Sequence, residues 1–543
     1  MNKLNPIMNL ARSLVTQLAA THGKFFPISV VNTNTRLPLL LLSGFHQDQR
    51  NNDFTSTRNP PSLSRRTWKP LLKGIPFFAR YNPLGWTPTK RWEATKSHFS
   101  TAQCLDPDLR TIEESPTLGA QRIVSARREA GLPVYNWGLG ASPFPLPEAL
   151  VNALAENAYR KNYGQAEGIL ELRKAIASHY HSEAFPVTEN DIIVHQLKDL
   201  LFLVQLVFEG EIIHVTPFWP SYKEQTNLLK KRPVVIQTKE ENNFKLRPED
   251  VTKLCRYDSN KPRLLLFNNP VNPTGVAYTK EELQDLAIVF QKYQIIVVSD
   301  EVYRLVSHDM KELPSIINYH PLSIAASSLS KGYHAGGWRL GWMAFSPPLG
   351  PIRELMTKIG SSTYSCAPIP QQHAAIMVFQ NNEEIQDSLL RAQYLFGKIK
   401  EQCVSRIREI GLDCIDAQAA WYLLISFNNY KKPLKRLGVE ESQDLVKLLI
   451  EKTGIVFVAG EDFGLPKEEL YVRAAFVDFS GKDALKSLES IHTKELSEAQ
   501  ISMSWANSIF ESLDVLGDWL KSLMPEDIPE IADGPADAPK EMS

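Results

Sequence analysis

The sequence predicts an α/β fold with a mostly parallel sheet flanked by helices, and two observations support this prediction. Residues 211–218, 263–270 and 294–301 are short runs rich in Val, Ile and Leu without polar alternation. Such runs are typical of strands that are buried on both faces of a parallel sheet. Helical stretches separate the runs, and one of them begins with a capping box formed by Thr279 and Glu282. This alternation of strands and helices favours parallel strands joined by helical crossovers.

The composition is that of a globular protein long enough for more than one domain. The chain has 543 residues, of which 43% are hydrophobic and 22% are charged, and this length predicts two domains with additional segments. No apolar run approaches the roughly 18–20 residues of a membrane helix, so we expect no membrane partner. The five cysteines are scattered without a CxxC pair. This pattern argues against a metal site or a disulfide framework and favours a reducing compartment.

The first hundred residues are a different kind of sequence from the rest. They hold fourteen lysines and arginines against three acidic residues, which gives a net charge of +11, whereas the remainder of the chain has a net charge of −12. Apolar residues follow helical spacing between Leu4 and Leu18, and Arg12 lies off the apolar stripe. This amphipathic, acid-poor start is similar to an organellar transit peptide and predicts import into the mitochondrial matrix or a plastid. The alternative is a disordered basic tail on a cytoplasmic protein.

Polar and aromatic side chains follow the apolar runs at the points where the predicted strands end. Trp219 and Tyr222 follow the first run, Asn272 follows the second, and Asp300 and Tyr303 follow the third. A fourth apolar segment leads to Lys331. Ligands of open α/β sheets bind beyond the carboxyl ends of the strands. We therefore expect these six side chains to form one site.

Three motifs carry a resemblance to a known family. NNPVNPTG at residues 268–275, SDEVY at 299–303 and SSLSKGYHAGGWRLGW at 327–342 stand in this order. They resemble the class I/II aminotransferases, which are fold-type I enzymes that depend on pyridoxal 5′-phosphate. The resemblance covers roughly residues 115–491. It implies a large cofactor-binding domain with a mostly parallel sheet flanked by helices, and a smaller α/β domain.

The resemblance assigns catalytic roles to residues at the strand ends. Lys331 matches the lysine that holds the cofactor as a Schiff base and then moves a proton as general base and acid. Asp300 matches the carboxylate that keeps the pyridine nitrogen protonated, so that the cofactor can act as an electron sink. Tyr303 and Asn272 match groups that hydrogen-bond the 3′-oxygen of the cofactor. As an alternative, Asp300 could cap the following helix, and Asn272 could simply form a turn.

The cofactor phosphate requires cations and backbone amides. Arg339 offers a bidentate guanidinium and Ser328 offers a hydroxyl, both at positions that match phosphate contacts of the family. Gln196, Leu197 and Lys198 match a helix N-terminus that also binds the phosphate. Relatives usually carry small residues and a glycine there, so this corner departs from the family pattern, and Lys198 supplies a charge in compensation.

The resemblance also implies contacts with the cofactor ring, with the substrate and with a second subunit. Trp219 matches the aromatic residue that stacks on the cofactor ring, and Tyr163 matches a tyrosine that reaches the phosphate from a neighbouring subunit, which implies a homodimer. Arg473 matches the arginine that binds the α-carboxylate of an amino acid, and Gly140 matches a glycine whose backbone meets the same carboxylate. Trp421 and Tyr422 are expected to line the side-chain pocket.

The implied function is amino-group transfer between an L-amino acid and a 2-oxo acid by a ping-pong mechanism. The alternative on the same scaffold is a lyase, similar to 1-aminocyclopropane-1-carboxylate synthase or to a carbon–sulfur β-lyase. A regulatory protein with an aminotransferase-like body would need a DNA-binding domain at its N-terminus. No winged helix is visible in residues 1–110, so we expect no nucleic-acid partner. A pseudoenzyme is disfavoured because the motif set is complete.

The limits of the resemblance and the changes in composition predict six segments. They are a basic, disordered or targeting extension (1–110), the first part of the small domain (111–170), the cofactor-binding large domain (171–385), the second part of the small domain (386–495), an amphipathic helix (496–524) and an acidic disordered tail (525–543).

Overall fold

The computed structural model describes residues 104–107 and 116–523. The strands of this part are β1 (Tyr135–Asn136), β2 (Ile192–His195), β3 (Glu211–Val215), β4 (Val234–Ile236), β5 (Arg263–Asn268), β6 (Ile296–Asp300), β7 (Ser323–Ser328), β8 (Gly341–Phe345), β9 (Asp413–Cys414), β10 (Tyr422–Ser426), β11 (Ile455–Val456), β12 (Val458–Ala459) and β13 (Tyr471–Ala475). The α-helices are α1 (Pro116–Glu129), α2 (Glu148–Asn157), α3 (Leu170–Tyr180), α4 (Leu197–Val207), α5 (Pro220–Leu228), α6 (Pro248–Cys255), α7 (Lys280–Lys292), α8 (Gly350–Thr363), α9 (Ile369–Ala375), α10 (Glu383–Glu409), α11 (Lys431–Arg436), α12 (Ser442–Thr453), α13 (Gly481–Lys486) and α14 (Asn507–Ser522).

A seven-stranded sheet with the order β2-β8-β7-β6-β5-β3-β4 forms the larger part of the molecule. All of its strands run parallel except β8, which is antiparallel to both of its neighbours. The three apolar runs of the sequence become β3, β5 and β6. The predicted α/β fold with a mostly parallel sheet is therefore confirmed.

Both faces of this sheet are covered, because successive strand residues enter different apolar clusters. On β6, Val297 belongs to a cluster that includes Leu283 and Leu286 of α7. Val298, the next residue, belongs to the opposite cluster, which includes Leu200 of α4. The capping box at the start of α7 is present, with the Thr279 hydroxyl accepting from the Glu282 backbone amide at 3.2 Å. This packing explains the lack of polar alternation in the strands.

A second, smaller body is built around an antiparallel sheet with the order β12-β13-β10-β9. Strand β1, from the segment before the large sheet, pairs in parallel with β11 from the segment after it. The amphipathic helix predicted near the end of the chain is α14, whose Leu513 and Leu516 are buried in the core of this body. Segments from both sides of the large sheet thus meet in one body, while the domain boundaries given above stay predictions.

Two of the predicted segments lie outside the described residues. They are the acidic tail at 525–543 and the basic extension at 1–110, apart from residues 104–107. Within the described ranges, no helix is both long enough and apolar enough to cross a membrane.

Candidate active site

The polar residues that follow the strands meet in a cavity of about 350 Å³ beyond the carboxyl ends of β5, β6 and β7. The starts of α4 and α5 and parts of β10 and β13 complete its wall. The predicted site residues found in this wall are Gly140, Gln196, Leu197, Lys198, Trp219, Asn272, Asp300, Tyr303, Ser328, Lys331, Arg339, Tyr422 and Arg473. Three predicted residues, Tyr163, Tyr222 and Trp421, are not part of it.

Asp300 is the last residue of β6, and its carboxylate is buried below the cavity. The hydroxyl of Tyr222, in the first turn of α5, donates to Oδ2 at 2.5 Å. Oδ1 is buried without a hydrogen-bond partner among the described residues. Burial raises the pKa of Asp300 to about 6, although the Tyr222 hydrogen bond and the charge of Lys331 act in the opposite direction. A carboxylate in this state gains stability from any cationic hydrogen-bond donor that reaches Oδ1.

Lys331 follows β7 and extends its amine into the cavity. Its Nζ donates to the carbonyl oxygen of Gly140 at 2.7 Å. The same nitrogen lies 5.4 Å from the ring centroid of Tyr303 and 5.3 Å from that of Trp421. The amine is therefore held between aromatic rings and points at the segment that contains Gly140.

Two buried tyrosines face each other beside this amine. The hydroxyl oxygens of Tyr303 and Tyr422 are 2.8 Å apart. Burial raises the pKa of Tyr303 well above its ordinary value. Burial also acts to raise the pKa of Tyr422, but the charges of Lys331 and Arg473 outweigh it and lower that pKa. Tyr422 is therefore the more acidic of the two hydroxyl groups, and Tyr303 holds its proton more firmly.

Arg473 lies in the middle of β13, where its backbone pairs with Leu424 of β10 and Val458 of β12. The residue is only 1% exposed, and its guanidinium donates to the carbonyl oxygen of Gly138. The Nε atom is buried without a hydrogen-bond partner among residues 104–107 and 116–523, and no carboxylate of those residues forms a salt bridge with Arg473. Asp462 acts on Arg473 electrostatically without a direct salt bridge among the described residues, and a buried arginine with no carboxylate in contact is suited to bind one from outside the chain.

The position of Gly140 depends on the absence of a side chain. A Cβ atom built at Gly140 would lie 2.2 Å from the hydroxyl oxygen of Tyr422. The backbone at this point consequently approaches Tyr422 and Lys331 more closely than any other residue type would allow.

Two cations and a helix N-terminus meet at the other end of the cavity. The Arg339 Nε atom donates to the side-chain oxygen of Gln196 at 2.8 Å, immediately before α4. Arg339 has a φ of +55°, in the left-handed region that few residues other than glycine adopt. Burial and the neighbouring charge of Arg339 lower the pKa of Lys198, whose Nζ lies 5.3 Å from the ring centroid of Trp219. Such a corner favours a doubly charged anion.

Tyr163 and Trp421 lie outside the cavity of their own chain, and the role of Tyr163 in a neighbouring subunit stays a prediction. Tyr163 is 90% exposed. Trp421 is fully buried, and its ring packs 5.6 Å from that of Tyr303 and 5.3 Å from that of Phe396. The next residue, Tyr422, begins β10 and lines the cavity instead.

The sequence had placed Tyr222 at the strand ends, Tyr422 in the side-chain pocket and Gln196 in the phosphate corner, and both Gln196 and Tyr422 line the cavity. Their partners could not be predicted, because Tyr222 and Tyr422 form hydrogen bonds with residues far away in the chain. Sequence reasoning gave no role to Asn268 and Ser221, which also line the cavity, and no local signal distinguishes them.

Comparisons with known proteins found a matching family and similar relatives. The family described as aminotransferase class I and II matches residues 133–478. The aspartate aminotransferase of Bacillus subtilis (strain 168) is 30% identical over 66% of this chain and 91% of its own length. The asparagine–oxo-acid transaminase of Streptococcus mutans is 29% identical over the same shares of the two chains, 66% and 91%.

Solved structures of similar fold were also found. The aspartate aminotransferase from Thermus thermophilus with maleate has a TM-score of 0.64 and 21% identity, covering 76% of this chain and 99% of that one. An aspartate aminotransferase from Thermotoga maritima has a TM-score of 0.62 and 24% identity, covering 77% and 100%. At these identities the likeness concerns the fold.

Proposed function

This chain belongs to the class I and II aminotransferases, and we propose that it moves an amino group from an L-amino acid to a 2-oxo acid in two half-reactions at the cavity described above. It is a transferase that depends on pyridoxal phosphate, which, when bound, supplies the electron sink that stabilises negative charge at the substrate Cα. The residues of the cavity fit this group. Lys331 offers an amine, and the buried Asp300 Oδ1 and Asn272 Oδ1 atoms have no partners among the described residues.

Each of these residues has a distinct task in the proposal. Asp300 would accept a hydrogen bond from the protonated ring nitrogen, since an anion there is otherwise unpaired at Oδ1. Tyr303, which keeps its proton, would donate to the 3′-oxygen of the cofactor together with the Asn272 amide. Lys331 would hold the cofactor through Nζ and, once substrate has displaced it, carry the proton that leaves Cα.

The ends of the cavity would hold the two anionic groups. Lys198, Ser328 and Arg339, with the backbone at Leu197, would bind the phosphate. Arg473 would bind the α-carboxylate of the substrate, beside the backbone of Gly140. These two cationic ends orient cofactor and substrate toward each other with Lys331 between them, as a near-attack geometry requires.

The single observation that carries the proposal is that one cavity is lined both by the Lys331 amine and by the buried Asp300, whose Oδ1 atom has no hydrogen-bond partner among the described residues. Borohydride reduction of the cofactor-loaded protein, followed by peptide mass analysis, should find the cofactor mass on Lys331. Lys331→Ala should lose the visible absorbance of the bound cofactor and the half-reaction with amino acids. Lys292→Ala, at an exposed lysine on α7, is the matched control and should behave as the parent protein. A labelled peptide that lacks Lys331 would refute the assignment.

The names of the relatives suggest which amino donors to test first. Curated relatives are named for aspartate and for asparagine, so these two amino acids should lead a panel read by conversion of the cofactor to its aminated form. Release of ammonia in place of that conversion would indicate the lyase reaction, which the aminotransferase relatives do not favour.

We also propose that the protein is a homodimer whose Tyr163 reaches the cofactor phosphate of the partner. Support comes from the exposure of this side chain, which is 90% accessible and outside the cavity of its own chain. Sedimentation of the full chain should give a dimer, and Tyr163→Phe should lower cofactor affinity by about fivefold, the effect of one lost hydrogen bond. A monomer with unchanged affinity in the variant would contradict the proposal.

The basic N-terminal stretch supports a further proposal, that the protein is imported into an organelle. Residues 1–100 carry a net charge of +11, and transit peptides are likewise rich in basic residues and poor in acidic ones. Residues 1–110 fused to a fluorescent protein should direct it to mitochondria or plastids. A diffuse cytoplasmic signal would contradict the proposal.

A further inference from the structure

A partly buried hydrogen bond outside the site described above joins the loop that carries Lys331 to the segment that carries Gly140. The hydroxyl of Ser142 and the Nδ1 atom of His334 are 2.7 Å apart. His334 follows Lys331 by three residues, and its backbone amide donates to the Lys331 carbonyl at 3.1 Å. Its Nε2 atom is buried without a partner among the described residues. The ring also packs 5.4 Å from that of Phe144, so the imidazole is fixed from several sides.

The segment at residues 138–142 has three polar attachments to the lysine loop and the small sheet. The Gly138 carbonyl accepts from Arg473, the Gly140 carbonyl accepts from the Lys331 amine, and Ser142 binds His334. In the proposed function Arg473 must bind a carboxylate, and Lys331 must hold the cofactor. The Arg473 guanidinium and the Lys331 amine therefore have other partners during the reaction. The hydrogen bond between Ser142 and His334 uses neither of these groups.

We infer that the Ser142–His334 hydrogen bond positions the segment at 138–142 over the substrate end of the cavity while Lys331 and Arg473 are occupied. Ser142 and His334 are then positioning residues for amino-acid binding, an inference that rests on the proposed function. The bond joins neutral groups near neutral pH, since burial lowers the pKa of His334 to about 4. His334 also has a φ of +60°, a conformation in which histidine and asparagine are among the better tolerated side chains.

Substitution at both ends of the bond tests the inference in the full chain loaded with pyridoxal phosphate. Ser142→Ala should raise the KM for the amino acid about fivefold, the effect of one net hydrogen bond, with kcat and cofactor affinity within about twofold of the parent. His334→Gly, which removes the ring without backbone strain, should do the same. The double variant should be no worse than either single one. His334→Asn, whose amide can take the place of Nδ1, should restore the KM.

His320 provides a matched control, because it is another buried histidine, with its Nε2 atom 2.7 Å from the Ile295 carbonyl oxygen. His320→Ala should lower the melting temperature and leave the KM unchanged. An unchanged KM in Ser142→Ala, or multiplied effects in the double variant, would overturn the inference.

Amide hydrogen exchange supplies a measurement that does not need turnover. The peptide covering residues 138–142 should exchange about fivefold faster in Ser142→Ala than in the parent, since one hydrogen bond less holds the segment. Equal exchange rates in the variant and the parent protein would contradict the positioning role, even if no amino acid reacted. Failure of the unsubstituted protein to react with any amino acid would instead count against the proposed function.

Discussion

Replacing Asp300 by Asn should stabilise the cofactor-free protein above neutral pH while weakening its hold on the cofactor. The carboxylate is only 4% exposed, and burial raises its pKa from the ordinary 3.8 to about 6. Asparagine has nearly the same shape and can still accept the Tyr222 hydrogen bond through its side-chain oxygen. It does not carry the charge that burial disfavours.

The magnitude and the pH window follow from these two pKa values. Between pH 3.8 and about 6 the folded protein binds more protons at Asp300 than the unfolded chain does, so stability falls as the pH rises through this window. The full difference between the two pKa values lowers the free energy of unfolding by about 3 kcal/mol, at 1.36 kcal/mol for each pKa unit. The Asn variant does not titrate there. The gain in its free energy of unfolding over that of the parent protein should be close to zero below pH 4, should grow to about 3 kcal/mol by pH 7, and should then stay constant.

Urea unfolding of the cofactor-free protein, followed by tryptophan fluorescence between pH 4 and pH 8, measures this difference. Asp309→Asn is the control, because hydrogen bonds from Ser307 and Lys311 outweigh burial and lower the pKa of that carboxyl. It should lose rather than gain stability at pH 8. Pyridoxal phosphate should stabilise the parent more than Asp300→Asn, since a ligand that binds the native state adds stability according to its affinity. A stability difference that does not vary with pH would refute the reasoning.

Three further substitutions test the cavity. Arg473→Ala should raise the KM for the amino acid by an amount equivalent to about 2–5 kcal/mol, because it removes the buried cation that would pair with the substrate α-carboxylate. An unchanged KM in steady-state kinetics would show that Arg473 does not bind this carboxylate. Gly140→Ala should also raise the KM, since its Cβ atom would lie 2.2 Å from the Tyr422 hydroxyl, and a parent-like value would mean that the segment moves freely. Tyr222→Phe removes a hydrogen bond that lowers the pKa of Asp300, so the acid limb of the half-reaction pH profile should move to higher pH; an unmoved limb would contradict the link.

Local sequence was sufficient for the large sheet and for the residues at its edge. The runs that became β3, β5 and β6 are apolar throughout, because both faces of these strands are covered. Parallel strands place their carboxyl ends together, so Asp300 and Lys331 could be expected in one site before any contact was known. The motifs around them led to the family that the comparisons confirm.

The orientation of side chains in the smaller body could not be predicted from the sequence in the same way. Sequence similarity favoured both Trp421 and Tyr422 as walls of the substrate pocket, yet only Tyr422 of the two lines the cavity, and Trp421 packs inside the core. Neighbouring residues at the start of a strand point to opposite sides. Which side faces the site is decided by the pairing of β10 with β13, where Tyr422 lies opposite Ala475.

The sequence by itself determined the fold class, the family and the lysine and aspartate of the site, because each of these depends on periodicity or on a short motif. Only the tertiary structure decided which groups those residues touch. Tyr222 binds an aspartate 78 residues away, the Lys331 amine meets the backbone of Gly140 191 residues away, and His334 meets Ser142 192 residues away. Contacts at such separations depend on how strands and helices pack, since no local pattern records which distant atoms come within hydrogen-bond distance.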